Sequence, residues 1–196
     1  MLGRHQRWQG PAQSYKAARR RHADARLEAY EAARNDAVTS GGLGHDLRLA
    51  DIDRHTLEVW RATWRGQSHA VGAGGWDWPR LVAGMPRRAA VLPLAMWYGE
   101  DLCGLSLGHA SRSRSGGVRH TVSLTYAERR PDPPAVPLRG FVIPLAVAVA
   151  QNYGYAVGAS RLLLRNPDPD VVWYYEVLGF DVVWKGSTPI YCKKEI

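Results

Sequence analysis

Hydrophobic positions change their spacing three times along this chain, and each change marks a different kind of element. From Gln13 to Val38 the positions Ala23, Leu27, Tyr30, Ala33 and Ala37 recur at helical spacing, with Arg19, Arg20, Arg21, Arg26 and Arg34 elsewhere around the helix. The stripe is rich in alanine, and such a helix is expected to dock on the rest of the protein. After the break at Thr39–Gly44, Asp51 or Asp53 can cap a helix carrying Leu57, Trp60 and Trp64. A second glycine-rich break, Val71–Gly75, precedes Asp77 and Pro79, which fit the start of a short helix ending near Gly84.

From Ala89 the chain reads as β-strand. Ala89–Tyr98 and Leu102–Ala110 flank a turn at Gly99-Glu100-Asp101 and predict an antiparallel hairpin. Ser111–Gly117 is expected to be a polar, basic loop. His120–Ala127 then alternates Thr121, Ser123 and Thr125 with Val122, Leu124 and Tyr126, as a strand does. A proline-rich loop, Glu128–Pro137, leads to a helix that begins within Leu138–Ile143 and ends near Tyr153-Gly154. That helix is apolar nearly all round, so it is expected to lie buried against a sheet.

The last segment combines the most signals. Leu162-Leu163-Leu164 reads as a buried strand, Asp168 or Asp170 can cap a short helix, and Gly179 suits its stop. Phe180–Trp184 and Pro189–Lys193 then form a final pair of strands. No internal repeat is present. Residues 1–45 read as a basic helical extension and residues 46–196 as one domain.

Asn166 together with Tyr174-Tyr175-Glu176-Val177-Leu178-Gly179-Phe180 resembles the segment joining the fifth and sixth strands of the GCN5-related N-acetyltransferase (GNAT) superfamily. The resemblance extends back to about Ala89. It implies an α/β (α+β) fold with a mixed, mostly antiparallel central sheet flanked by helices. That sheet is expected to splay at its centre and leave backbone groups free for a ligand.

The resemblance also implies an activity, the transfer of a small acyl group from acetyl-CoA to an amine acceptor, and a place for each part of the chemistry. Tyr175 matches the tyrosine that can protonate the departing thiolate. Glu128, at the end of the central strand, resembles a carboxylate that can deprotonate the incoming amine, with His109 and His120 as alternatives. Backbone groups of Leu124–Tyr126 stand where the thioester is held. Arg139-Gly140 begins the pyrophosphate loop, and the matched segment opens at Asn166. The later glycines of that loop are replaced by Val142 and Pro144, a side chain and a missing N–H that are expected to weaken the cradle. Arg129, Arg130 and Arg139 could compensate through charge-assisted contacts; otherwise the donor is another molecule, or the fold is kept for binding alone.

Charge widens the choice of acceptor. Lys and Arg number 26 against 18 Asp and Glu, a formal net charge of +8, which suits a polyanion partner. A nucleic acid is therefore the alternative acceptor, either a charged tRNA or a DNA base, as in phage Mom-like enzymes. Trp76 and Trp78 are expected either to line a substrate mouth or to cap the core. Cys103 and Cys192 have no metal-ligand or disulfide-framework spacing, so no metal is expected. No apolar segment has the length to span a bilayer, and the expected location is the cytoplasm. Gly-x-Ser-x-Gly, P-loop and His-Glu-x-x-His motifs are absent, which excludes the usual hydrolase, nucleotide-hydrolysing and zincin chemistries.

Overall fold

The computed structural model describes residues 11–40, 42–67, 74–85, 89–113, 119–131 and 138–196. The alternating stretches become a seven-stranded sheet in the order β1-β2-β3-β4-β5-β7-β6. Its strands are β1 (Leu47–Ala50), β2 (Val91–Tyr98), β3 (Asp101–Ser113), β4 (Arg119–Arg129), β5 (Arg161–Arg165), β6 (Asp181–Lys185) and β7 (Thr188–Glu195). Neighbours are antiparallel except β4 and β5, which run parallel. A parallel pair needs a crossover, and the apolar helix α4 (Val142–Val157) supplies it.

Each face of the sheet has its own buried core. One is built from β2–β5, α4 and the long N-terminal helix α1 (Pro11–Thr39). The other lies under α2 (Arg54–Thr63) and α3 (Trp78–Ala83) and is dominated by Trp60, Trp64, Trp78 and Trp97. Among the described residues no helix is long and apolar enough to cross a membrane, and no His, Cys, Asp and Glu cluster could hold a metal.

Helix α1 lies along α4 and β1. Its buried positions are Ala25, Ala29, Tyr30 and Ala33, with Ala37 partly buried, whereas Leu27 from the expected stripe is 60% exposed. Small side chains at four-residue spacing let the helix approach closely. The polar contacts decide which face that is, because two arginines placed by their spacing on the outer surface turn inward. Arg26 makes a two-pronged pair with Asp51, Nε and Nη2 each 2.9 Å from a carboxylate oxygen. The Tyr30 hydroxyl lies 2.8 Å from Asp51 Oδ1 and also meets the Pro93 carbonyl. Arg34 donates to the carbonyls of Leu47 (2.7 Å) and His45 (3.0 Å), covering the edge strand β1. With only four residues, β1 is too short for its Leu47/Leu49 alternation to stand out in the sequence.

His22 on α1 completes this seam, its Nδ1 2.7 Å from the hydroxyl of buried Tyr153 on α4. Burial lowers the His22 pKa from 6.5, and neighbouring Arg21 and Arg26 lower it further. Unfolding therefore raises proton affinity at this site, so the stability it contributes is present above about pH 6.5 and is lost as the pH falls through the depressed folded value. Thermal unfolding followed between pH 7.5 and 5.5 is expected to show this decline, and His22→Gln is expected to flatten it.

Two irregularities in the sheet shape its centre. On β3, Met96↔Gly104 is followed by Trp97↔Leu102, so Cys103 is the extra residue; on β4, Tyr126↔Leu107 is followed by Leu124↔Gly108, so Thr125 is the extra one. Gly108 sits at the second bulge because a Cβ there would lie 2.5 Å from the Ser123 carbonyl oxygen, a backbone atom that cannot step aside. Gly108→Ala is expected to cost about 1–3 kcal/mol, read as a lower urea midpoint.

The basic stretch expected to be a loop from Ser111 differs in part: Ser111–Ser113 extend β3, and 114–118 lie outside the described residues. Glu128, expected to open the following loop, is still within β4.

Candidate active site

Strand β4 pairs with β3 from Arg119 to Arg129 but with β5 only over Thr121–Leu124, opposite Arg161–Leu164. Beyond Leu124 the two parallel strands part, and among the described residues no strand pairs with Thr125–Arg129 on that side. The bulge at Thr125 marks the point of divergence. β5 leaves the sheet at Asn166, whose φ of +50° turns the chain away, while its N–H donates to the Ile190 carbonyl at 3.3 Å. The expected splay is thus present at the centre of the sheet.

The start of α4 belongs to the same region. Gly140 has φ +83°, a left-handed conformation suited to glycine, and Phe141 follows as N-cap without a side-chain cap. In the first turn, the N–H groups of Val142 and Ile143 have no intrahelical partner, as at any helix start, and Pro144 has none to offer. The side chain of Val142 is 3% exposed and points into the core, where it fills the space left by Gly104, a Cβ at which would come within 2.9 Å of it. The valine therefore leaves the outer surface of the turn open. The cost of departing from the glycine pattern reduces to one N–H lost at Pro144.

Of the three candidate compensating arginines, Arg130 is committed, its Nη1 2.5 Å from Asp101 Oδ1. Arg129 has other contacts. Arg139 is exposed beside Gly140 and pairs with no acid among the described residues.

A 3₁₀ turn, Pro169–Val171, leads into α5 (Val172–Val177), with Asp168 rather than Asp170 as the cap, accepting from the Asp170 N–H at 3.1 Å. The adjacent tyrosines of α5 part company. Tyr174 donates to the Gly140 carbonyl at 3.1 Å, tying α5 to the turn before α4. Tyr175 packs against the larger core, and its hydroxyl has no hydrogen-bond partner among the described residues. Burial, then the nearby Cys192, Asp168 and Tyr174, push its pKa up to about 12. It remains a neutral donor throughout the physiological range.

On the opposite face, Glu128 is 2% exposed. Its Oε1 accepts from the Gly75 N–H at 2.9 Å and its Oε2 from the indole N–H of Trp78. The carboxylate thereby fixes the lead-in to α3, where Asp77 caps the helix through the Arg80 N–H. Trp76 is held above Tyr126, ring centroids 4.9 Å apart and planes at 72°. Trp78 is fully buried and caps the core, whereas Trp76, 41% exposed, lines an open cleft. Leu124 is buried, so only its backbone can face a ligand. His120 lies about five residues, roughly 17 Å, from the bulge toward the far end of β4, and His109 pairs with Ser123 on that side of the bulge.

The Tyr174–Gly140 contact ties α5, which carries Tyr175, to the turn of Arg139 and Gly140, and Asn166 lies where β5 ends, whereas Glu128 and Tyr126 lie on the α2–α3 side. The spacing of the sequence does not single out Tyr174 as the link to Gly140, nor Arg61 and Arg65 beside the cleft.

Solved structures share this architecture. An acetyltransferase from Thermus thermophilus superposes with a TM-score of 0.55 at 14% identity, over 76% of this chain and 97% of that one. The ribosomal-protein-S18-alanine N-acetyltransferase from Escherichia coli gives 0.50 at 12% identity, over 76% and 94%. A transcriptional regulator from Bacillus halodurans gives 0.55 at 15% identity, over 71% and 96%. No family model matches the chain, and no curated protein matches it. The fold is a mixed α+β fold with one parallel strand pair at its centre. More particularly, the fold is GNAT-like.

Proposed function

We propose that this protein is an acyl-CoA-dependent N-acyltransferase that moves a small acyl group to an amine. The observation that carries this is the parting of β4 from β5 beyond Leu124, flanked by the open first turn of α4. Acetyl-CoA, as donor, would supply an activated acyl thioester. The N–H groups of Val142 and Ile143, the helix dipole and Arg139 suit its pyrophosphate. The freed backbone of β4 near Leu124 and Tyr126 offers hydrogen bonds to an extended ligand, and Asn166 stands where β5 turns away.

In the transfer, the amine nitrogen forms a bond to the acyl carbon, the carbon–sulfur bond breaks, and the sulfur leaves with the electron pair. Tyr175 donates its hydroxyl proton toward that sulfur and is reprotonated from water; the extra proton on nitrogen also leaves to water. Glu128 carries the candidate base position, but its burial and its two donors support a positioning role, holding Trp76 and the α3 lead-in beside the acceptor side of the strand.

Calorimetric titration with acetyl-CoA tests the donor. Micromolar affinity, about −8 kcal/mol, is expected. No heat at millimolar concentration removes acetyl-CoA as donor and favours a GNAT fold kept for binding alone.

A further inference from the structure

Between α2 and the α3 lead-in lies a cleft of about 420 Å³, lined by Trp60, Trp64 and Trp76 together with Arg61, Arg65 and Asp77. We propose that it binds the end of a single-stranded nucleic acid, one base stacked on Trp76 and the adjoining phosphates paired with Arg61 and Arg65. As the site of an acceptor this rests on the acyltransferase reading; as a binding site it stands alone.

The floor is apolar and fixed. Trp60 and Trp64 are buried in the core beneath α2, and neither indole N–H has a partner among the described residues. Trp76 is different, because it keeps 41% of its surface exposed while Tyr126 braces it and Glu128 pins Gly75 before it and Trp78 two residues after it. A rigid, exposed indole offers a flat π surface at little entropic cost. Bases stack on such surfaces whatever their sequence.

The charge beside it is unspent. Arg61, in the last turn of α2, and Arg65, just past its C-cap Trp64, are exposed and pair with no acid among the described residues. Both line the cleft, so two guanidinium groups stand at the same opening. Guanidinium groups match phosphate oxygens bidentately. Asp77, engaged at Oδ1 by the Arg80 N–H, lies on the α3 side of the cleft and repels phosphate there. The charged backbone is thereby directed to the α2 side and the base toward Trp76.

Gly66 (φ +81°) and Gly75 (φ +85°) form the lips, and among the described residues, its chain neighbours aside, no heavy atom lies within 4 Å of where a Cβ at Gly66 would be. The net charge of +8 brings a polyanion to the surface, while the cleft supplies what charge alone lacks, a stacking platform.

The test uses the full-length protein without any acyl donor and a dye-labelled ten-nucleotide single-stranded RNA, with DNA of the same sequence and its duplex as further arms. Fluorescence anisotropy is expected to show binding of the single strands and weaker binding of the duplex. Log K is expected to fall with log salt at a slope near about −1.4 for two phosphates. Trp76→Ala is expected to weaken binding at least tenfold with an unchanged melting temperature, and Trp76→Phe to restore most of it. Arg61→Glu with Arg65→Glu is expected to weaken binding and flatten the salt slope. Three results overturn the proposal: no binding; binding insensitive to these variants but lost in Arg19→Glu/Arg20→Glu/Arg21→Glu; or equal, equally variant-sensitive binding of an acidic peptide. Failure of acetyl-CoA to bind beside intact RNA binding would remove the acyltransferase reading and leave the cleft standing.

Discussion

Tyr175→Phe is expected to lower kcat by about 10²-fold while leaving acetyl-CoA affinity and the melting temperature close to those of the parent. Among the described residues the hydroxyl hydrogen-bonds nothing, so its removal leaves no partner stranded, and the ring that packs against the core is kept. In the proposed mechanism, what is lost is the proton donor to the leaving sulfur, and preorganised donors of that kind contribute about 10²–10³ in kcat. The pH dependence separates this role from others. With its pKa pushed up to about 12, Tyr175 is protonated across pH 6–9, so the ratio of parent to variant rates is expected to stay constant over that range. A ratio that changes between pH 7 and 9 would mean that the group acts through its ionised form. Unaltered turnover would remove Tyr175 from the reaction.

Tyr174→Phe is the companion control. Its hydroxyl holds the Gly140 carbonyl, so the variant is expected to weaken acetyl-CoA binding through a looser turn, raising KM more than it lowers kcat. The two tyrosines sit next to each other in the sequence, yet one touches the loop and the other does not. That difference is set by the rotation of α5, which the pattern of apolar residues leaves open.

The same physics explains which parts of the fold are legible in the chain. The continuous apolar run Val91–Tyr98 and the alternating run Arg119–Arg129 announce themselves, as does the α4 pattern, because burial over many residues leaves a pattern in the chain. Caps are legible for the same reason that they work: Asp53, Asp77 and Asp168 each accept from a backbone N–H at a helix start. β1 is too short to carry a period. The orientation of α1 depends on pairings across the sequence, Arg26 with Asp51 and His22 with Tyr153, and no local pattern encodes a partner 25 or 131 residues away. The glycine loop shows a subtler limit. Val142 reads as an obstruction in one dimension, but Gly104 on β3 receives its side chain, so a substitution in one element is absorbed by a glycine in another.

Glu128→Ala is expected to lower stability by about 3 kcal/mol, since it strands the Gly75 N–H and the Trp78 indole N–H and hollows a buried site. In a chain of 196 residues that corresponds to a fall of about 10 °C in melting temperature. Glu128→Gln decides between anchoring and base chemistry. Its carbonyl oxygen can still serve one of the two donors, but its amide group turns an N–H toward the other, so an anchor is expected to lose stability, though less than with alanine. Loss of the anchor also loosens Trp76 over Tyr126, so acceptor KM is expected to rise while the pH profile of kcat keeps its shape. A general base predicts the opposite pair of results: a melting temperature near that of the parent, and loss of the acid limb of the profile. The geometry favours the anchor, because a carboxylate with donors on both oxygens at 2% exposure has little left to offer an incoming amine.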